Sequence, residues 1–186
     1  MIAAMDIQLF HAENTYMCKP IRNKIMTGGM FYRIIYSTDS VSMNGIYIAF
    51  ELSGNICEIF PSKFKIQFGP PTNTATGGPK THIFTNDNLT DNTIRALCDI
   101  EKSILSNITI PGKTPLYKLH DQLIQNNFKF FWLTDNTINS NHTKPKDTYN
   151  NNSTQKAYFV LKISGCWTTP VSYGITYKFS RVKSKS

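Results

Sequence analysis

Apolar and polar residues alternate with a period of two in several short stretches of this chain. Ile46, Ile48, Phe50 and Leu52 alternate with Tyr47, Ala49 and Glu51, which predicts a strand with one buried face. Residues 31–36 are dense in aromatic and β-branched side chains and predict another strand. A third extended stretch runs over 56–68, with Pro61 interrupting it as an edge or bulge residue would. Strands are predicted again at 128–133 and 158–163, with Gly165 and Pro170 breaking the chain around Trp167. In the last strand Tyr173, Ile175, Tyr177 and Phe179 alternate with Thr176, Lys178 and Ser180. Residues 1–29 are weakly patterned and end in the Gly28-Gly29 turn.

Between these stretches the period lengthens. Ile94, Leu97, Ile100 and Ile104 recur at helical spacing, with Thr90 or Asp91 placed to cap the start. A second helix is predicted after Pro111-Gly112, capped by Thr114 with Pro115 in its first turn. Its apolar face would carry Leu116, Leu119, Leu123 and Ile124. Residues 37–44, 69–82 and 135–155 are polar or rich in Gly and Pro and read as loops. Strands, a helical segment and more strands predict an α+β fold, mainly antiparallel β. The order suits an OB-fold-like barrel, a five-stranded oligonucleotide-binding barrel with a helical segment between strands three and four. The loops at 37–45 and 135–155 would then flank the binding face. A β-sandwich with a helical insertion is the alternative. With 186 residues, the chain is read as a single domain, 1–186.

Charge narrows the choice of partners. Twenty Lys and Arg stand against 12 Asp and Glu, a formal net charge of +8. Beyond Asp147 there is no acidic residue, and Lys156, Lys162, Lys178, Arg181, Lys183 and Lys185 supply most of the excess. Polyanions are therefore the expected partners, nucleic acid ahead of an anionic membrane. The tail 181–186 is basic and expected to fray. Cys18, Cys57, Cys98 and Cys166 are far apart and the four His are scattered, so no metal site and no cofactor are expected. Cys98 and Cys166 sit among apolar residues and read as buried thiols. No leader pattern and no run of 18 apolar residues occurs, so the expected setting is intracellular and reducing.

Catalytic chemistry finds little to stand on. His120-Asp121 are neighbours that helical geometry should send to different faces. Gly77-Gly78-Pro79-Lys80 lacks the spacing of a phosphate-binding loop, and its proline removes an N–H donor. Asp87, Asp91, Asp99 and Glu101 could serve a nuclease only if they converged, and capping explains the first two. The chain reads as a non-enzyme. The stronger pattern is cations interleaved with aromatics on strands, because phosphates need positive charge and unstacked bases need flat π surfaces. Lys63, Lys65, Lys129, Lys162, Lys178 and Arg181 are the expected phosphate contacts. Tyr36, Tyr47, Trp132 and Tyr158 are the expected stacking residues, with Tyr32 a further candidate. The expected activity is sequence-tolerant binding of single-stranded nucleic acid, DNA in the first instance. A virion structural or interaction protein with a basic genome-contacting tail is the rival.

Two segments carry a family resemblance. Leu97, Ile100, Glu101, Ile104 and Leu105 form an L-x-x-I-E-x-x-I-L helix. Ile163-Ser164-Gly165-Cys166-Trp167 precedes Gly174-Ile175-Thr176-Tyr177-Lys178-Phe179. Together they resemble the single-stranded DNA-binding proteins of large insect DNA viruses, the baculovirus-type DNA-binding protein and its relatives, over the C-terminal half of the chain. The resemblance implies an OB-like fold and a role coating single strands in viral DNA replication. It also implies a place in the host nucleus or at a viral replication site, with self-association and replication proteins as further partners. The ending Arg181-Val182-Lys183-Ser184-Lys185-Ser186 departs from the acidic tail of many replicative single-strand binders, so that mode of recruitment is not carried over.

Overall fold

The computed structural model describes residues 4–54, 57–59, 65–67, 88–125, 127–132 and 155–182. In chain order the strands are β1 (Met5–Asp6), β2 (Thr15–Met17), β3 (Ile21–Arg22), β4 (Met30–Ser37), β5 (Ser42–Asn44), β6 (Ile46–Gly54), β7 (Cys57–Ile59) and β8 (Lys65–Gln67). Helix α1 (Asn88–Asn107) follows, then β9 (Thr114–Pro115), α2 (Lys118–Leu123), β10 (Asn127–Trp132), β11 (Gln155–Thr168) and β12 (Ser172–Val182). Pro61, Lys63 and the predicted loops at 69–82 and 135–154 lie outside the described residues. The weakly patterned start holds three very short strands and two 3-10 turns.

The result is an α+β protein dominated by one open, mixed sheet. Its path runs β1-β6-β11-β12-β10-β8-β7. β6, β11 and β12 are antiparallel neighbours, whereas β10 lies parallel to β12 and β1 parallel to β6. Among the described residues β1 and β7 end the path without pairing to each other, so the sheet does not close as a barrel would. β4 pairs with the far end of β11 and carries β2, β3 and β5. The expected loop at 37–44 therefore contains a strand. Gly45, at φ 99, joins β5 to β6 in the left-handed region that a side chain would strain.

β11 is longer than its periodicity suggested. Gly165 does not end it but marks a register shift between Ile163 and Gly165, a bulge that lets the strand continue through Trp167. A Cβ at Gly165 would collide with the Phe31 ring and the Tyr32 carbonyl oxygen of β4. At Gly174 a Cβ would stand 2.7 Å from the Trp167 indole and 2.9 Å from the Leu116 carbonyl oxygen. Trp167 is buried, and its Nε1 donates to the Ile175 carbonyl oxygen at 3.1 Å. Both glycines of the 163–179 motif are thus places of close approach.

Alternation sets the core. Ile46, Ile48, Phe50 and Leu52 of β6 face the same side as Phe159, Leu161 and Ile163 of β11, Phe179 of β12, and Phe128 and Phe130 of β10, and all are buried. Phe128 lies 4.2 Å from Phe179 and 5.4 Å from Phe159, centroid to centroid. α1 covers this side with Leu97, Ile100, Ile104 and Leu105 at the spacing of one helical stripe, and packs against β6, β12 and α2.

The second helix starts later than expected. Thr114 does not cap it; Thr114 N donates to the Val171 carbonyl oxygen and Leu116 N to that of Tyr173, so Thr114–Pro115 extends alongside β12. α2 buries only Leu119 and Leu123, while Leu116 and Ile124 are exposed. Its leading amides are met by Glu101 of α1, fully buried, whose carboxylate oxygens accept from Leu119 N at 3.0 Å and His120 N at 2.7 Å. Burial pushes the Glu101 carboxyl above its ordinary value of 4.5, and those two amide bonds oppose the push. Cys98 and Cys166 are buried as expected, and burial pushes each thiol up to about 11.

Candidate nucleic-acid interface

The second face of the β6-β11-β12-β10 sheet is made by the residues that alternate away from the core. Strand register arranges them in rows. In the first row Tyr47 of β6 pairs with Lys162 of β11, and Lys162 pairs with Lys178 of β12. The parallel register of β10 brings Lys129 level with Lys178, and Lys129 pairs in turn with the Lys65 position of β8. The second row holds Ala49, Val160, Ser180 and Phe131. A third row holds Glu51, Tyr158 and Val182, and a fourth Ser53 and Lys156.

Charge and exposure separate the rows. Lys129 and Lys178 are exposed, and Lys162 is half-buried with its ammonium 4.9 Å from the Tyr47 ring centroid. Like charges directly opposite across strands destabilise a sheet by up to about 1 kcal/mol a pair, so the lysine row carries a cost to stability that a bound anion would relieve. Among the described residues the carboxylates on this face, Glu51 and Asp6, each have a partner outside the lysine row. Glu51 pairs with Lys156 at 2.8 Å, and its proximity raises the pKa of that ammonium. Asp6, on the edge strand opposite Ala49, accepts from Gln8 N at 2.9 Å. Beside the lysines, Phe131 is 61% and Tyr158 45% exposed, flat apolar groups that the fold leaves uncovered.

The expected contacts are therefore partly assembled and partly dispersed. Tyr47, Tyr158, Lys129, Lys162 and Lys178 share the open face, and register adds the Lys65 position. Arg181 does not: it alternates to the core side, where its guanidinium lies 6.0 Å from the Phe130 ring. Nor does it fray, since Arg181 and Val182 complete β12; residues 183–186 lie outside the described residues. Tyr36 is 3% exposed, so its ring cannot receive a base. It packs 5.8 Å from Phe10, and its hydroxyl donates to the Leu9 carbonyl oxygen and accepts from His11 N. Tyr32 packs against the core. Trp132 holds the β10 position opposite Arg181, one residue out of step with Phe131.

Sequence reasoning missed Phe131. Four aromatics crowd the 128–132 segment, and the signal that singles out Phe131 is its place two residues from Lys129, on the same face of the strand. Of the acidic candidates, Asp87 and the side chain of Asp91 lie outside the described residues, and Asp99 and Glu101 do not converge. Asp99 is exposed beside Lys102 at 3.4 Å, while Glu101 of the same helix points into the core. His120 Nδ1 and Asp121 Oδ1 do meet, at 3.3 Å, against the expectation that they diverge, but on the helix surface. Among the described residues no three His, Cys, Asp or Glu stand close enough to hold a metal ion, and no helix is long and apolar enough to cross a membrane. Comparison of the chain with family models, with curated proteins and with solved structures found no match.

Proposed function

We propose that this protein binds single-stranded DNA, without strong sequence preference, on the open face of its sheet. One observation carries the reading: register aligns Lys162, Lys178 and Lys129 in a row beside the exposed rings of Phe131 and Tyr158. A cationic track next to flat apolar groups suits a backbone with unpaired bases, because each stacked base contributes about 1–3 kcal/mol whatever its identity. A duplex hides its base faces and would use the cations alone. The proposal needs no cofactor and assigns no catalytic step. The resemblance of the 94–105 and 163–179 segments to viral single-strand binders supports placing the activity in viral DNA replication or genome handling. An OB-like arrangement belongs to the same proposal, supported by the helical segment between the third and fourth extended stretches.

The test is a comparison of labelled oligothymidine with a duplex of equal length, by anisotropy across a range of salt. The single strand should bind more tightly, and some affinity should survive at salt that abolishes duplex binding. Equal affinities that vanish together at moderate salt would contradict the proposal and favour a virion protein that touches its genome through charge alone.

A further inference from the structure

Resting on that reading, we infer that a bound strand crosses the β-strands at a steep angle, its phosphates over the lysine row and its bases over Phe131 and Tyr158, while Tyr47 positions Lys162 and stacks no base. The rows fix the direction. Lys162, Lys178 and Lys129 sit on three neighbouring strands, so the cations advance across the sheet in steps of roughly 4.8 Å. A backbone lying along β11 instead would meet Lys162 and then Val160, Tyr158 and Lys156, the last already paired with Glu51.

The flat groups lie to one side of that row. Phe131 is two residues along β10 from Lys129, and Tyr158 is four residues along β11 from Lys162. Both are displaced toward the same edge of the lysine row, since the Phe131 row holds Val160 and the next holds Tyr158. A strand with its backbone over the lysines can turn its bases only toward that side and meet a ring. Two strand spacings separate the rings laterally, roughly 10 Å, which leaves Val160 and Ser180 as the floor between two platforms. Ser180 is nearly buried and Val160 is 7% exposed, so this floor is smooth and offers no charge.

Tyr47 has a different task. One face of its ring is covered by the Lys162 ammonium at 4.9 Å, an arrangement in which the ring quadrupole attracts the cation. That contact draws a flexible side chain toward β6, on the side away from Lys178, and holds it half-buried at the end of the row. Tyr47 is thus a positioning residue for one phosphate contact, and its hydroxyl is dispensable.

Full-length protein titrated with oligothymidine at several salt concentrations tests this division. Phe131→Leu should weaken binding about 5- to 150-fold with the salt slope unchanged, the signature of a lost stacked base. Tyr47→Leu should instead flatten the slope by about 0.7, one phosphate contact, while Tyr47→Phe keeps the ring and the slope. Phe131 is a surface residue, so its loss leaves folding intact, as circular dichroism would verify. An unchanged affinity for Phe131→Leu in a protein that still prefers single strands overturns the crossing path alone. A slope lost equally in Tyr47→Phe and Tyr47→Leu overturns the positioning role. Absence of single-strand preference in the unaltered protein overturns both this inference and the reading on which it rests.

Discussion

The same four strands, β6, β11, β12 and β10, build two faces that differ less in composition than in what lies over them. On the core side Phe50, Phe128, Phe159 and Phe179 share one cluster with the buried residues of α1 and α2 and are at most 6% exposed. On the other side Phe131 and Tyr158 keep half or so of their surface, and Lys129, Lys178 and Lys162 form a row to one side of them. Aromatic content alone therefore says nothing about binding. Alternation decides which ring is spent on stability and which is left for a ligand.

The sharpest way to break this comparison is to truncate one ring from each face. Phe128→Ala should cost about 3–5 kcal/mol in denaturant unfolding, because a closely packed aromatic cluster loses its centre. Phe131→Ala, three residues away, should change stability by no more than about 0.5 kcal/mol. Similar losses from the two would show that the outer face is also a packed interior.

Glu101 links the helices that cover the core side. Glu101→Ala should cost about 1–3 kcal/mol for each of the two amides left without an acceptor. The native carboxylate also brings a pH dependence. Its pKa is raised on folding, so its favourable contribution is complete below 4.5 and is lost as pH rises through the elevated folded value. Stability measured from pH 4 upward should show that decline, and Glu101→Gln should flatten it. A decline of equal size in the Gln variant would assign it to other groups.

A smaller effect is expected where strands and loop approach closely. Gly174→Ala should destabilise by about 1–3 kcal/mol, since its methyl meets both the Trp167 indole and the Leu116 carbonyl. The near-ultraviolet signal of Trp167 should change with it, and an unperturbed indole would contradict the packing. The smallest expected effect is none: with Mg²⁺ or Mn²⁺ present, DNA and RNA should stay intact on a gel. Metal-dependent cleavage lost on Asp91→Ala would assign a nuclease activity instead.

Much of the sheet was legible because period-two alternation is a direct consequence of pleating. β4, β6, β10 and β12 fall close to the predicted stretches, and α1 follows its apolar stripe. What escaped was decided by distant partners. Thr114–Pro115 has the residues of a helix start but is drawn into extension by amide bonds to Val171 and Tyr173. Gly165 has the look of a terminator, yet β4 on one side and β12 on the other carry β11 through it. The candidate site was legible in its residue types and only partly in its membership. Lys129, Lys162, Lys178, Tyr47 and Tyr158 were identifiable from strand alternation. Tyr36 was lost to an N-terminal segment whose packing no periodicity announces and Arg181 to a one-residue offset in phase, while Phe131 shares the alternation of Lys129 but was hidden among four crowded aromatics.

The central claim is that the lysine row, and not diffuse positive charge, holds the phosphates. The most direct measurement compares the salt dependence of oligothymidine binding in two triple variants of equal charge. Four to six phosphate contacts should give the unaltered protein a slope of log K against log salt of roughly −3 to −4. Replacing Lys129, Lys162 and Lys178 with Ala should make that slope shallower by about 2 units, three contacts at about 0.7 each. Replacing Lys19 and Lys24, which lie on either side of the short strand β3, and Lys102 of α1 should leave it unchanged within about 0.5. Equal flattening in both triples would show that net charge alone attracts the strand and that the row has no special part in binding.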